Sequence, residues 1–473
     1  MMKNPQDHSS FQPEQDQLGQ IAPGLARLRR TFADGHTRDY AWRLGQLRQL
    51  KKMLMEQQTT IQAALKADLN KCPTEAWSCE IGFLVSDIEH TIKYLKKWMR
   101  PRKVSTPMVA QPGKSYLLPE PLGVVLIIGA WNYPLQLMLA PLIAAIAAGN
   151  CALLKPSELA AHTSNLVASL VPQYLDASAI IVVEGAVEET TALLGQQFDH
   201  IFYTGGETVG RIVMAAAAKH LTPVTLELGG KSPCIIHSSA DIEVSASRIV
   251  WSKWMNAGQT CVAPDYVLVE KSQSGELIAA IQRKLSTFYG PCVKDSEDYG
   301  RIVNHRHFMR LSGYLGGQNI VCGGETDEAN LYIAPTVVLN PALDGPLMDQ
   351  EIFGPILPII TLDDINQAIP FVNKGNKPLA LYVYTQDKAF ENAVLQNTSA
   401  GSVGVNDGFM FMLNPQLPFG GVGNSGMGSY HGQYGFDTFS HLKTVMRRSF
   451  KFDISLRYPP YSKFKLAMLK KLL

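Results

Sequence analysis

Residues 124–156, VVLIIGAWNYPLQLMLAPLIAAIAAGNCALLKP, decide the fold class. From 121 to 154 the chain carries no charged side chain, and a membrane-spanning helix needs only about 20 apolar residues. Gly129, Asn132, Pro134, Pro141, Gly149 and Asn150 interrupt the stretch. At these intervals they punctuate strand, turn, helix, turn and strand rather than one continuous helix. Uncharged strands joined by an uncharged helix are what a parallel sheet covered on both faces requires.

The pattern continues downstream. VVLIIG (124–129) and CALLKP (151–156) are followed by IIVVEG (180–185), HIFYTG (200–205) and VTLELGG (224–230), with helical patterns between them. Strands alternating with helices imply βαβ units in an open parallel sheet, whose ligands lie at the carboxyl ends of the strands. A second alternating block begins near Ser232 with PCIIH, YVLVE, NIVCGG, APTVVL, ILPIITL and LALYVYT. The fold class is therefore α/β, with two open, Rossmann-like α/β domains. The 473-residue length agrees with two or three domains at about 150 residues each.

Upstream, residues 25–98 read as helices, with Leu44, Leu47, Leu50 and Leu54, then Leu84, Ile88, Ile92 and Leu95 at helical spacing. Residues 1–20 are polar and rich in Gln and Asp, which predicts a mobile extension. Residues 103–113 read as a basic connection, and the glycine- and aromatic-rich tail after Gly401 as irregular loops and interdomain crossings.

Composition narrows the function. A formal net charge of +2 gives no reason to expect a nucleic-acid partner. The seven cysteines show no CxxC pair or repeated spacing, which argues against a zinc site or a disulfide framework. The amino terminus lacks a basic start followed by an apolar stretch, so the expected compartment is the reducing cytoplasm.

Among those cysteines, Cys261 stands out. In WSKWMNAGQTCVAPDYVLVE (251–270) a helical pattern gives way to Gly258, Gln259 and Thr260, and a strand follows Pro264. A thiol in such a break is reachable, and its own N–H can face the oxygen of a bound carbonyl. A lone cysteine is nevertheless most often a small buried hydrophobe, and spacing alone does not choose between the two.

The segment MNAGQTCVAPDYVLV (255–269) closely resembles the nucleophile segment of the aldehyde dehydrogenase superfamily, and its CVAPDY ending looks most like the class 3 branch, which includes fatty aldehyde dehydrogenases. The likeness extends from about Leu25 to the carboxyl terminus, with several motifs in the expected order. It implies Cys261 as nucleophile, Glu227 in LELGGKSP (226–233) as general base, and Asn132 in WNYP (131–134) as oxyanion donor. Each has a plain structural alternative: a capping Glu beside a glycine turn, or an Asx turn before Pro134.

For a cofactor, FYTGGETVG (202–210) joins a strand end, a glycine-rich turn and a helix start, where a pyrophosphate can settle. It is not the GxGxxG pattern, but it resembles the family loop, which implicates Gly205, Gly206, Glu207, Thr208, Val209 and Gly210. The resemblance adds Trp131, Leu228, and the Lys155 and Glu158 pair of KPSE (155–158) for the adenosine ribose. From EIFGPILP (351–358) it adds Glu351 for the nicotinamide ribose and Phe353 beside the ring. A carboxylate at the ribose favours NAD over NADP, although class 3 members also accept NADP. No metal is expected.

The family further implies a cofactor-binding domain (21–105 and 124–226), a catalytic domain (227–408), oligomerisation or bridging segments (106–123 and 409–455) and a homodimer. The expected substrate is a medium- to long-chain apolar aldehyde, fatty, aromatic or isoprenoid-derived. Competing expectations are a CoA-acylating relative, an acyl-thioester reductase and a non-catalytic relative of the fold. Residues 456–473 form a basic amphipathic tail, with Tyr461, Phe464, Met468 and Leu472 at helical spacing among Lys463, Lys465, Lys470 and Lys471. Such a tail suits either an anionic membrane surface or a protein surface, and it is too short and too charged to span a bilayer.

Overall fold

The uncharged stretch lies at the centre of a six-stranded sheet. Strand Val124–Ile128 pairs in parallel with Cys151–Lys155 on one side and His200–Thr204 on the other. Helix Gln136–Ala148 joins the first two strands, and all of its residues are buried. It lies beneath helices Tyr40–Glu56, Gly82–Trp98 and Gly432–Thr438, which explains why its sequence has no polar stripe. The helix stops at Gly149, whose φ of 91° is the left-handed cap that glycine adopts without strain.

The structure, a computed structural model, describes residues 17–451, 453 and 455–472. Its first sheet runs in the order Gly426–Met427, Val224–Glu227, His200–Thr204, Val124–Ile128, Cys151–Lys155, Ile180–Val182. All neighbours are parallel except the edge strand Gly426–Met427. Between Val124–Ile128 and His200–Thr204 the chain's progress across the sheet reverses, which opens a crevice at the carboxyl ends of these two strands.

The second sheet has seven strands, in the order Ile320–Cys322, Thr336–Leu339, Ile356–Leu362, Tyr266–Glu270, Pro233–Ile236, Ala380–Tyr384, Ser402–Val405. It is parallel apart from the edge strand Ile320–Cys322. Two open α/β units follow, as the alternation predicts. Strand Ser402–Val405 escapes the sequence reading because SVGV is short and contains a glycine.

Two expectations need correction. The tail after Gly401 is not wholly irregular: Ser440–Arg448 pairs antiparallel with Gly113–Pro121 along nine residues, and Arg102–Val104 completes a three-stranded sheet. This also replaces part of the connection expected over 103–113. Pro119, Pro121 and the charged residues of both strands hide the pattern, because Pro and charged residues are uncommon within strands. Second, residues 17–20 of the expected extension already belong to helix Gln17–Ala33, while residues 1–16 lie outside the described residues. The tail forms helix Lys463–Leu472, on which Phe464 is exposed, as is the preceding Tyr461. Among the described residues no helix is long and apolar enough to cross a membrane, and no cluster of His, Cys, Asp or Glu could hold a metal ion.

Candidate active site

The crevice between the two central strands widens into a cleft of about 590 Å³. Its walls include Cys261, Glu227, Asn132, Glu351, Phe353 and Trp131. Lys155, Glu158, Gly205, Gly206, Val209 and Leu228 also face it. Glu207, Thr208 and Gly210 do not line it. Glu207 instead pairs with Arg211 and accepts from Asn424 at the start of helix Glu207–Ala218, and Thr208 is exposed. Gly210 lets the helix approach its sheet, because a Cβ there would stand 2.8 Å from Leu228.

The loop that carries Cys261 is made by backbone conformation. Helix Ile242–Trp254 ends, and Asn256, Ala257 and Gly258 adopt φ of 53°, 52° and 76°. Consecutive left-handed residues are costly outside glycine, and such strain persists only where surroundings hold it. Here the buried Gln259 holds it: its amide donates to the Asn256 and Arg301 carbonyls (3.0 and 2.9 Å) and accepts from the Val303 N–H (3.0 Å). Gly258 cannot be replaced freely, since a Cβ would lie 2.2 Å from the Gly354 carbonyl oxygen.

Cys261 emerges from this turn half-buried, with its sulfur against its own N–H and that of Val262. Burial, with the Glu351 and Glu227 carboxyls behind it, pushes the thiol up to about 12. Asn132, 2% exposed, donates through Nδ2 to the Gln259 carbonyl at 3.1 Å. That bond uses one of the two amide hydrogens and leaves the other for a ligand.

Glu227 ends strand Val224–Glu227, and neither of its buried oxygens has a hydrogen-bond partner. Burial alone holds its carboxyl well above the usual range. Such a group has a high affinity for a proton, as a base working near neutral pH requires. Glu351 lies against Gly229, where a Cβ would come within 2.2 Å of its carboxylate. Burial, with Asp265 adding to it, pushes Glu351 up to about 8.

The cofactor half of the cleft is lined by aromatic rings. Trp131 meets Phe353 edge-on and His307 at a tilt, both with ring centroids 5.3 Å apart. Phe353 has φ of 50°, an outlier for a bulky residue, and the Ile352 N–H before it is tied to Asp265 at 3.0 Å. Lys155 is buried, donates to the Pro156 carbonyl at 2.7 Å and reaches Glu158 at 3.4 Å. Sequence reading missed Arg306 and His307, which also line the cleft. They sit in helix His305–Gly313, where nothing local marks them.

A second cavity of about 480 Å³ is lined by Trp77, Phe83, Val85, Asp87, Met412 and His431, among others. Buried Tyr430, adjacent to His431, lies within electrostatic reach of Glu227, Cys261 and Asp87. Sequence reading assigned none of these aromatic and apolar side chains, because they come from segments more than 300 residues apart and carry no motif.

The chain matches the aldehyde dehydrogenase family over residues 27–445. Aldehyde dehydrogenase family 3 member A2 of Rattus norvegicus is 49% identical over 448 residues, 94% of this chain and 93% of that protein. The rat protein named aldehyde dehydrogenase, dimeric NADP-preferring, is 45% identical over 94% of this chain and 98% of its own. Among solved structures, Staphylococcus aureus AldH in a substrate-bound state superposes with a TM-score of 0.94 at 44% identity, covering 95% of this chain and 99% of its own. A Mycobacterium tuberculosis aldehyde dehydrogenase complexed with NAD+ gives 0.81 at 29% identity, covering 92% of each chain. The cleft that brings the Cys261 thiol, the unpartnered Glu227 carboxyl and the Asn132 amide together thus occurs in a chain that belongs to the aldehyde dehydrogenase family.

Proposed function

We propose that this chain oxidises medium- to long-chain apolar aldehydes to carboxylic acids through a thioester on Cys261, using NAD, with NADP as an alternative. The observation that carries the reading is the convergence of Cys261, Glu227 and Asn132 on one cleft at the switch point of a parallel sheet. The cleft suits a dinucleotide: it lies at the strand carboxyl ends, is bordered by the start of helix Glu207–Ala218, and presents Lys155 with Glu158 and the Trp131 and Phe353 rings. These residues, with Glu351, would hold it.

Cys261 attacks the aldehyde carbon, and its proton passes to Glu227, which releases it to solvent before the hydrolysis step. The resulting tetrahedral oxyanion is held by the free N–H of Asn132 and the backbone N–H at Cys261. The nicotinamide, when bound, supplies the hydride acceptor. Glu227 then takes a proton from the water that cleaves the thioester, releasing the acid and regenerating the thiol. A carboxylate in this position favours hydrolysis over transfer to a CoA thiol, and a test for NADH-dependent aldehyde release from an acyl thioester separates this reading from a reductase.

The apolar-substrate assignment draws on the second cavity, whose Trp77, Phe83, Val85 and Met412 would accept a hydrocarbon chain. A steady-state panel of aldehydes of rising chain length, each with NAD and NADP, tests it. The reading expects kcat/KM to climb with chain length, and a preference for short hydrophilic aldehydes would sink it. Two partner assignments belong to the same reading. A second copy of the chain would meet the open edge of Ser440–Arg448 beside exposed Met446. The tail, with Phe464 and Leu466 exposed among lysines, would rest on an anionic membrane surface.

A further inference from the structure

Deep in the helical lead-in lies an ion pair that the reaction above does not use. Lys71 and Glu80 have side chains with no exposure at all, and their charged atoms meet at 2.5 Å. Burying two charges is expensive, and a well-packed apolar pair would often be no less stable. A buried pair of this kind therefore calls for a reason, and its remaining bonds supply one.

Buried Glu75 stands within electrostatic reach of both members, but the pair's other side-chain hydrogen bonds go to the loop that carries Asn132. Lys71 Nζ donates to the Asn132 carbonyl at 2.9 Å and stands 3.9 Å over the Tyr133 ring. The second Glu80 oxygen accepts from the backbone N–H groups of Leu135 (2.9 Å) and Gln136 (3.1 Å), where helix Gln136–Ala148 begins. Glu80 itself sits in the π-helical turn Trp77–Ile81, a wide turn of the sort that recurs at functional positions. From the other side Asn256 donates to the same Asn132 carbonyl at 2.8 Å, and the Tyr133 hydroxyl meets the Thr260 hydroxyl at 2.7 Å. The loop is gripped at residues 132, 133, 135 and 136, with the nucleophile turn on one face and the ion pair on the other.

We infer that Lys71 and Glu80 are positioning residues for the oxyanion donor: they fix the backbone of residues 132–136 so that the free N–H of Asn132 points at the oxygen developing beside Cys261. The inference rests on the reading of Asn132 as that donor. A displacement of about 1 Å at a reacting group can cost about 10²-fold in rate, so a clamp that touches no substrate can still govern kcat.

The test is a mutant cycle on the full-length chain with decanal and NAD. Removing one charge alone would strand its partner, so the probe is the paired, near-isosteric change Lys71→Met with Glu80→Gln, measured with and without Asn132→Ala. The inference expects the paired variant to keep the wild-type Tm and the wild-type affinity for NADH by fluorescence titration, while kcat falls about 10- to 100-fold. In the Asn132→Ala background the same pair should cost less than about twofold, because the donor it aims is already gone. Losses that multiply, or an unchanged kcat, would overturn the positioning role. So would a paired variant that does not fold, since the pair would then serve stability. If Asn132→Ala alone leaves kcat intact, the fault lies in the donor assignment itself, and the positioning role falls with it.

Discussion

At the scale of single residues, the account depends on three side chains that differ in what their environment does to them. Burial, reinforced by two carboxyls, keeps the Cys261 thiol protonated at rest, and burial raises Glu227. In the proposed mechanism cleavage of the thioester needs ionised Glu227, and because burial raises its carboxyl, kcat should rise with pH above the ordinary carboxylate range. A pH profile that falls from pH 6 to 8 would contradict that role. Asn132→Ala should lower kcat about 10²- to 10³-fold, the usual cost of losing one oxyanion donor, with little change in NADH affinity.

Glu351 gives a stability prediction with a definite sign. Its folded-state carboxyl is raised to about 8, so its contribution is fully present below its unfolded value and is lost as pH rises through about 8. Glu351→Gln should therefore gain Tm relative to the wild type between pH 5 and pH 9. A difference that shrinks over that range would contradict the burial argument. Cys261 was one thiol among seven by composition, and its turn was visible only as a glycine-containing break. Its left-handed residues 256–258 were not legible, because an αL turn at Asn256 and Ala257 is set by the Gln259 network and not by local preference.

At the scale of elements, the parallel strands were readable because burial on both faces leaves them uncharged except at their carboxyl ends, where Lys155 and Glu227 stand. Val124–Ile128 and Cys151–Lys155 are buried throughout. The half-exposed strands Gly113–Pro121 and Ser440–Arg448 were not readable, because Pro, Lys and Arg within them look like a loop. The nucleophile turn gives the sharpest element-level prediction. Gly258→Ala would place a methyl 2.2 Å from a backbone oxygen at a positive φ, which no side-chain movement relieves. It should cost at least about 1–3 kcal/mol in urea denaturation and remove activity, whereas Gly206→Ala, with nothing within 4 Å, should leave the fold intact.

At the scale of the whole molecule, strand ends of the first sheet and the loop that carries Cys261 border one cleft, and Lys71 and Glu80 of the helical lead-in bond to the Asn132 loop. Motifs identified the crevice because the chemistry sits in short runs at strand ends. The second cavity and the Lys71–Glu80 clamp were hidden, since they are assembled from residues distant in sequence and only the fold brings them together. Removing residues 459–473 should leave aldehyde oxidation in solution unchanged and abolish flotation with anionic liposomes. Flotation that survives the deletion would remove the tail from the membrane assignment.

The central claim is a covalent acyl group on Cys261 whose release depends on Glu227. Intact-protein mass spectrometry of Glu227→Gln after mixing with decanal and NAD tests it most directly. The account predicts a decanoyl adduct that maps to Cys261 and is absent from the Cys261→Ser variant. Full turnover by Glu227→Gln with no adduct, or an adduct that persists in Cys261→Ser, would contradict it.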